Sequence, residues 1–259
     1  MIGVAGCGRM GEPMLAALRS MGLRAKGFDS VGKDSDWITS DSVRFGADLR
    51  TLITVVRDID QTEDVLFGAQ NFVGTAQKLD RVIISSTLSP RYVRDLRARV
   101  PKHIVMIDAP MSGAQVAAER AELSFMLGGD PCDLDEAQMI FSSMGKHFHR
   151  MGPFGSGMQA KVLNNMLAAS HTAMTRMVLD WADDAGLCEK ALLSLIHTSS
   201  GQNWLASGFD EIEFARDGHD ASNTIGILVK DVDSAMDAAP QGSDLTAPRL
   251  IQSMIKNLK

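Results

Sequence analysis

A lysine and an asparagine four residues apart, Lys161 and Asn165, close the run Gly152-Pro153-Phe154-Gly155-Ser156-Gly157-Met158-Gln159-Ala160-Lys161-Val162-Leu163-Asn164-Asn165. A helical pattern begins directly after the glycines, which places both side chains on one helix face. An amine and an amide held together at the start of a helix, beside a glycine-rich mouth, suit the handling of a proton on a small substrate's oxygen. Most helical lysines are solvated surface charges. The chemistry therefore requires that the preceding chain build a cofactor site.

Residues 2–5 form a short apolar strand, and Gly6-Cys7-Gly8-Arg9-Met10-Gly11 follows at once as a Gly-x-Gly-x-x-Gly fingerprint. The first glycine allows a tight turn, the second lets backbone approach a pyrophosphate, and the third lets the next helix pack close to its strand. Met14, Leu15, Leu18 and Met21 keep helical spacing up to Gly22, and the N-terminus of that helix would offer amide hydrogens and a positive dipole end to phosphates. Cofactor contacts are thus expected from Gly6, Gly8, Arg9, Met10 and Gly11. A second strand over 24–28 ends in Asp29, 18 residues beyond Gly11. An acid near that distance hydrogen-bonds the adenine ribose diol and repels a 2′-phosphate, which favours NAD and leaves NADP as the alternative. The competing reading is that Asp29 merely starts the turn Asp29-Ser30-Val31-Gly32.

The elements that must position these residues alternate. The spacing predicts a short, loosely helical connection over 33–47, a strand over 52–56, a helix over 58–66 and a strand over 81–87, with Pro90 in the first turn of the next helix. Strands over 104–107, 123–127 and 146–150 and a helix over 134–144 complete the half. Such alternation is the signature of an α/β, Rossmann-like, doubly wound and mostly parallel sheet. Ligands bind such sheets outside the carboxyl ends of the strands, where Gly6, Asp29, Val56, Thr87 and Ser112 are expected. After Gly157 only helical patterns remain: one long stretch to about Gly186, then 189–197, 224–238 and 247–258. The boundary between a dinucleotide-binding domain and an all-α domain is expected at 153, giving 1–153 and 154–259. A helix that long, apolar on more than one side, implies a homodimer or tetramer.

Composition bounds the alternatives. At 259 residues and net charge −6, the chain has the bulk for a sizeable core and the wrong balance for nucleic acid or an anionic membrane. It carries no apolar run of membrane-spanning length, and it opens on Met1-Ile2-Gly3-Val4-Ala5 without a basic leader. Cys7, Cys132 and Cys188 are odd in number and far apart, so a reduced, cytoplasmic protein is expected. His147 and His149 share a strand face without a third ligand nearby, and no metal site is expected. Trp204 and the turn before it either roof a pocket or cap a helix, with the cap favoured.

Several of these segments, in order, resemble the β-hydroxyacid dehydrogenase family: 3-hydroxyisobutyrate dehydrogenase, tartronate semialdehyde reductase and other relatives of 6-phosphogluconate dehydrogenase. Gly6 to Met14 is similar to its cofactor loop, Gly-x-Gly-x-Met-Gly-x-x-Met. Ser86-Thr87-Leu88-Ser89-Pro90 is similar to its Ser-Thr-x-Ser-Pro segment beside the nicotinamide. Asp108-Ala109-Pro110-Met111-Ser112-Gly113-Ala114 is similar to its Asp-Ala-Pro-Val-Ser-Gly-Gly substrate loop, Gly152 to Asn165 to its catalytic motif, and Lys230-Asp231 to the late Lys-Asp whose lysine closes over the cofactor. The resemblance implies hydride transfer between C4 of a nicotinamide and a carbon bearing a hydroxyl. Lys161 would take or return the hydroxyl proton, Asn165 would align it, and Ser112, Gly113 and Ala114 would hold the substrate's acid group. A lysine half-buried beside a cationic nicotinamide has its charged form disfavoured and can work as a base near neutral pH.

The chain departs from the family at Ala114, where glycine is usual and a methyl group would narrow the loop. It departs also at Val56-Arg57, in place of Leu-Pro, which brings an arginine toward the cofactor or substrate edge. Cys7 replaces a bulkier apolar residue and is read as packing. The tail after Lys230 is shorter than the family norm. Imine reductases share the architecture but generally lack the lysine, and oxidative decarboxylation of a sugar-acid phosphate needs a longer helical domain. A nucleotide-binding protein of this fold acting on another carbonyl or imine, or without turnover, is the alternative.

Overall fold

Short apolar runs, punctuated by glycine, proline and capping residues, make the first part of the chain a sheet. The computed structural model describes residues 1–32 and 35–259, in two compact units, Met1–Lys161 and Val162–Lys259. In the first, β1 (Ile2–Ala5) leads through the glycine turn into α1 (Gly11–Ser20), and β2 (Ala25–Phe28) pairs beside β1. Then come β3 (Ile38–Thr39), α2 (Ser42–Gly46), β4 (Thr51–Thr54), α3 (Ile59–Leu66), α4 (Phe72–Thr75) and β5 (Arg81–Ile84). Helix α5 (Pro90–Arg99) begins as its sequence dictates. Ser89 accepts from the Tyr92 amide, and Pro90 occupies a first-turn position where a missing amide hydrogen costs little. The unit continues with β6 (Val105–Asp108), β7 (Met111–Ser112), α6 (Ala114–Glu119), β8 (Leu123–Gly128), α7 (Pro131–Met144) and β9 (Gly145–Gly152).

Among the described residues these strands form one sheet in the order β3-β2-β1-β4-β5-β6-β8-β7, with β9 on β8. From β3 to β6 every neighbour is parallel, whereas β8 runs antiparallel to β6 and β7 and parallel to β9. The expected mostly parallel, Rossmann-like sheet is what forms. One expectation needs correction. The connection over 33–47 contains a strand as well as a helix, because Gly27 and Phe28 pair with Ile38 and Thr39, and Ile38 buries its side chain. Two residues are too few to show a period of two, so only pairing reveals this strand. Lys33 and Asp34 of that stretch lie outside the described residues.

Alternation along the strands divides the core between the two sheet faces. Val4, Ile53, Ile83 and Ile107 pack with Met14, Leu18 and Phe141. Ala5, Leu52, Ile84 and Met106 pack with Phe45, Phe72 and Leu96. The second face is anchored by Phe28, Phe45 and Phe72, whose ring centroids lie 5.1 to 5.5 Å apart. Parallel strands buried on both faces read as continuous apolar runs, which is why the sequence located them.

Helix α8 (Ser156–Asp184) begins in the first unit and runs on through the second. The second unit adds α9 (Glu189–Thr198), α10 (Trp204–Ser207), α11 (Thr224–Asp237) and α12 (Thr246–Lys256). No strand occurs among its described residues. Asn203 caps α10 by accepting from the Ala206 amide, in line with the capping role favoured for the turn before Trp204. The Arg176 guanidinium donates to the carbonyls of Ala215, Asp217 and Lys259, each at 2.9 Å, and so ties α8 to the segments after α10 and α12.

Candidate active site

The glycine fingerprint forms the turn its residue types dictate. Gly6 has φ +94° and approaches Val55 so closely that a Cβ would stand 2.6 Å from the Val55 carbonyl oxygen. A Cβ on Gly11 would overlap the Gly6 carbonyl oxygen, so α1 packs against the turn only with glycine there. Gly8 is different: it is exposed, with nothing within 4 Å of its Cβ position. Met10 occupies the cap position of α1 without a side-chain cap hydrogen bond. Arg9 is exposed beside Gly8. A helix start without a side-chain cap, next to an open glycine, fits a pyrophosphate.

Asp29 makes one local and one longer-range hydrogen bond. Its Oδ1 accepts from the Val31 amide at 3.0 Å, making the turn, while its Oδ2 accepts from the Cys7 amide at 2.9 Å. The carboxylate at the end of β2 thus braces the glycine loop at the end of β1. Val56, beyond β4, donates its amide to Ser86 Oγ at 2.9 Å, which ties it to the segment beyond β5 that carries Thr87. Arg57 is exposed and donates its amide to Gln61 Oε1 at 3.1 Å. Cys7 is fully buried in the core, in keeping with packing.

The residues expected to form a substrate loop follow β6. Ser112 ends β7, Gly113 has φ +133°, and Ala114 opens α6 at φ +58°. Ala114 therefore stands in a left-handed conformation that glycine adopts without penalty. Lys161 lies in the second turn of α8 and is only 7% exposed. The start of that helix is held by Asp108, the last residue of β6. Asp108 Oδ1 accepts from the Gly155 amide at 2.6 Å, and its Oδ2 accepts from the Met158 amide at 2.5 Å. Burial pushes the Asp108 carboxyl up to about 6, although the surrounding backbone amides pull it down.

In the second unit Asn165, one helical turn beyond Lys161, is also 7% exposed. Its Nδ2 donates to Asp231 Oδ2 at 2.6 Å, which fixes the amide and turns its oxygen the other way. Lys230 Nζ lies 3.3 Å from Asp231 Oδ1, an ion pair without hydrogen-bond geometry. The structure thus gathers Asn165, Asp231 and Lys230 in one unit. The other unit contains Gly6, Gly8, Arg9, Met10, Gly11, Asp29, Val56, Arg57, Thr87, Ser112, Gly113, Ala114 and Lys161.

Sequence reasoning assigned no role to Asp108 or Asp231, although both stood in the quoted motifs. Each carried a signal. Asp108 ends the apolar run Ile104-Val105-Met106-Ile107, and Asp231 falls on the buried stripe Ile225, Leu228, Val232 and Ala235 of α11. A charge on a buried face is kept only where hydrogen bonds meet it. Elsewhere in the first unit, a groove of about 440 Å³ lined by Ser42, Val43, Asn71, Thr75 and Lys78 contains none of the candidate site residues.

Comparison with known proteins places this geometry. Residues 1–152 match a family model described as the NAD binding domain of 6-phosphogluconate dehydrogenase. Residues 155–258 match one described as NAD-binding of NADP-dependent 3-hydroxyisobutyrate dehydrogenase. The mitochondrial 3-hydroxyisobutyrate dehydrogenase of Rattus norvegicus is 29% identical over 252 residues, covering 92% of this chain and 75% of that protein. An NAD-dependent L-serine dehydrogenase of Pseudomonas aeruginosa is 28% identical, covering 93% of this chain and 86% of the relative. Among solved structures, 3-hydroxyisobutyrate dehydrogenase of Mycobacterium tuberculosis with L-serine superposes with a TM-score of 0.80 at 26% identity, covering 98% of this chain and 91% of that one.

Proposed function

The chain belongs to the β-hydroxyacid dehydrogenase family, and on that premise we propose that it moves a hydride between a nicotinamide cofactor and a small 3-hydroxy acid or its semialdehyde. The observation that carries the reading is Lys161: an amine of a kind normally solvated, buried to 7% exposure in the second turn of a helix that a buried carboxylate holds. Lys161 takes the hydroxyl proton in oxidation and returns it in reduction. Asn165, its amide orientation fixed by Asp231, keeps the substrate oxygen in line. Ser112 and the backbone of Gly113 and Ala114 hold the substrate's carboxylate.

A bound nicotinamide supplies the hydride acceptor or donor. Gly6, Gly8, Arg9, Met10 and Gly11 would cradle its pyrophosphate, Asp29 its adenine ribose, and Val56, Arg57 and Thr87 the edge nearer the nicotinamide, with Lys230 closing over it. The charge on Asp29 favours NAD over NADP. We propose that the cofactor-binding and helical parts divide at 153. Three separated cysteines suit a reduced, cytoplasmic setting.

We also assign a homo-oligomer, at least a dimer, to the back of α8. Leu163, Leu167, Met174 and Trp181 are 44 to 63% exposed. At about 100° per residue they fall within roughly 40° of one another, on the side of the helix opposite Lys161 and Asn165. Such an apolar stripe suits a second copy better than water.

The test is nicotinamide absorbance during incubation with a panel of 3-hydroxy acids and their semialdehydes, with NAD(H) and NADP(H). Wild type and Lys161→Ala are run side by side. Turnover by wild type, reduced about 10²- to 10⁴-fold in the variant while cofactor still binds, is the expected result. Equal rates in the two proteins would refute the role of Lys161.

A further inference from the structure

We propose that Asp108 is the positioning residue for Lys161: a buried anion on the sheet that fixes where α8 begins, and with it the place of the amine. The inference rests on the reading of Lys161 as the proton-transfer group. Its ground is geometric. The first-turn amides of a helix have no partner within the helix and are ordinarily met by a side chain just before it. Here the cap comes from 47 to 50 residues away, on another element. Both carboxylate oxygens are used, one on Gly155 and one on Met158, and Asp108 is fully buried.

The surroundings are cleared for that carboxylate. Gly128 pairs with Asp108 across β6 and β8, and a Cβ on Gly128 would overlap Asp108 Oδ1. A Cβ on Gly157 would overlap the Met126 carbonyl oxygen and stand 3.0 Å from the Asp108 carbonyl oxygen. Two glycines therefore let sheet, carboxylate and helix start meet. Met158 is held a second time, its sulfur accepting from the Leu88 amide at 3.4 Å. Lys161 follows Met158 by three residues, about 4.5 Å along the helix axis, so the Met158 amide sets the height of the lysine directly.

A local Ser or Asp cap would satisfy these amides with less desolvation. What the distant carboxylate adds is a link. Asp108 is covalently continuous with Ala109-Pro110-Met111-Ser112-Gly113-Ala114, so one residue registers the substrate loop against the helix bearing Lys161. A displacement of about 1 Å at a reacting group can lower a rate by two orders of magnitude.

Asp108→Asn is isosteric and keeps one acceptor oxygen, but it turns an NH₂ against a backbone donor. Full-length wild type, Asp108→Asn and Lys161→Ala are compared for kcat and KM on the hydroxy acid that wild type oxidises. Cofactor Kd is read by fluorescence titration and folding by near-UV circular dichroism at the assay temperature. Positioning predicts a kcat lowered about 10- to 100-fold in folded Asp108→Asn, with KM and cofactor Kd within about threefold of wild type. Unchanged kcat, or a loss confined to KM or cofactor affinity, would overturn it; a residue that only stabilises the fold leaves kcat alone. Should Asp108→Asn not fold, Gly128→Ala is read the same way, since its new methyl meets both Asp108 Oδ1 and the Gly157 nitrogen and so pushes carboxylate and helix start apart without neutralising the charge. Lys161→Ala with undiminished turnover would remove the reading on which the inference rests. An inactive Lys161→Ala beside a fully active Asp108→Asn would remove the inference alone.

Discussion

Replacing Asp29 by Asn separates a structural role from cofactor recognition. The carboxylate already serves the protein, bracing Cys7 in the glycine loop and Val31 in its own turn. Any substitution there loosens the loop, and that loss falls on NAD and NADP alike. The ratio of the two dissociation constants cancels it. What survives in the ratio is the interaction with the ribose. Two charge-assisted bonds to a diol, at about 1.5 kcal/mol each, would total about 3 kcal/mol, roughly 100-fold. Asp29 is half-buried and the Asn oxygen keeps a neutral bond, so about 10-fold weaker NAD binding is expected. For NADP the sign reverses, because a like charge beside the 2′-phosphate is removed. At about 1 kcal/mol for unit charges 4 Å apart in water, that is roughly a fivefold gain. The ratio should therefore move about 50-fold toward NADP. Titration of Asp29→Asn and wild type with NADH and NADPH at one ionic strength, following cofactor fluorescence, measures it. If both constants change by the same factor, Asp29 is a turn residue and does not discriminate between NAD and NADP.

Two further expectations concern stability. Burial raises the Asp108 carboxyl from 3.8 to about 6, so between those values the folded chain holds a proton that the unfolded chain has lost. The contribution of Asp108 to stability therefore falls as pH rises from about 4 to 6, by about 3 kcal/mol at 1.36 kcal/mol per pH unit, and is level above that. Urea unfolding of wild type and Asp108→Asn across pH 4 to 7 isolates this term as their difference, and a difference that stays constant or grows with pH would contradict it. Ala114 sits at φ +58°, which costs a non-glycine residue about 1–2 kcal/mol, against about 0.5–1 kcal/mol of extra backbone entropy for glycine. Ala114→Gly should accordingly raise stability by about 0.5–1 kcal/mol, seen as a melting temperature higher by about 2 °C, whereas a lower one would show that the loop depends on the methyl group.

What the sequence determined by itself is what neighbouring residues settle. Gly11 is fixed by sterics within the turn itself, for a Cβ there meets an oxygen only five residues back. Ser89 and Pro90 start α5, and Asp58 starts α3 by accepting from Gln61, through bonds spanning three residues. Apolar runs buried on both faces announce parallel strands, and helical periodicity announces α8 and α11. The order of Lys161 and Asn165 on one helix is equally local. The tertiary structure alone decided what Asp108, Asp231 and the second oxygen of Asp29 do. The second amide partner of Asp29 is 22 residues away, those of Asp108 are 47 and 50 away, and that of Asp231 is 66 away. An aspartate carries the same charge wherever it stands, and its role follows from which donors folding brings to it. The strand at Ile38–Thr39 follows the same logic, for two residues have no detectable period until a neighbouring strand supplies their hydrogen bonds.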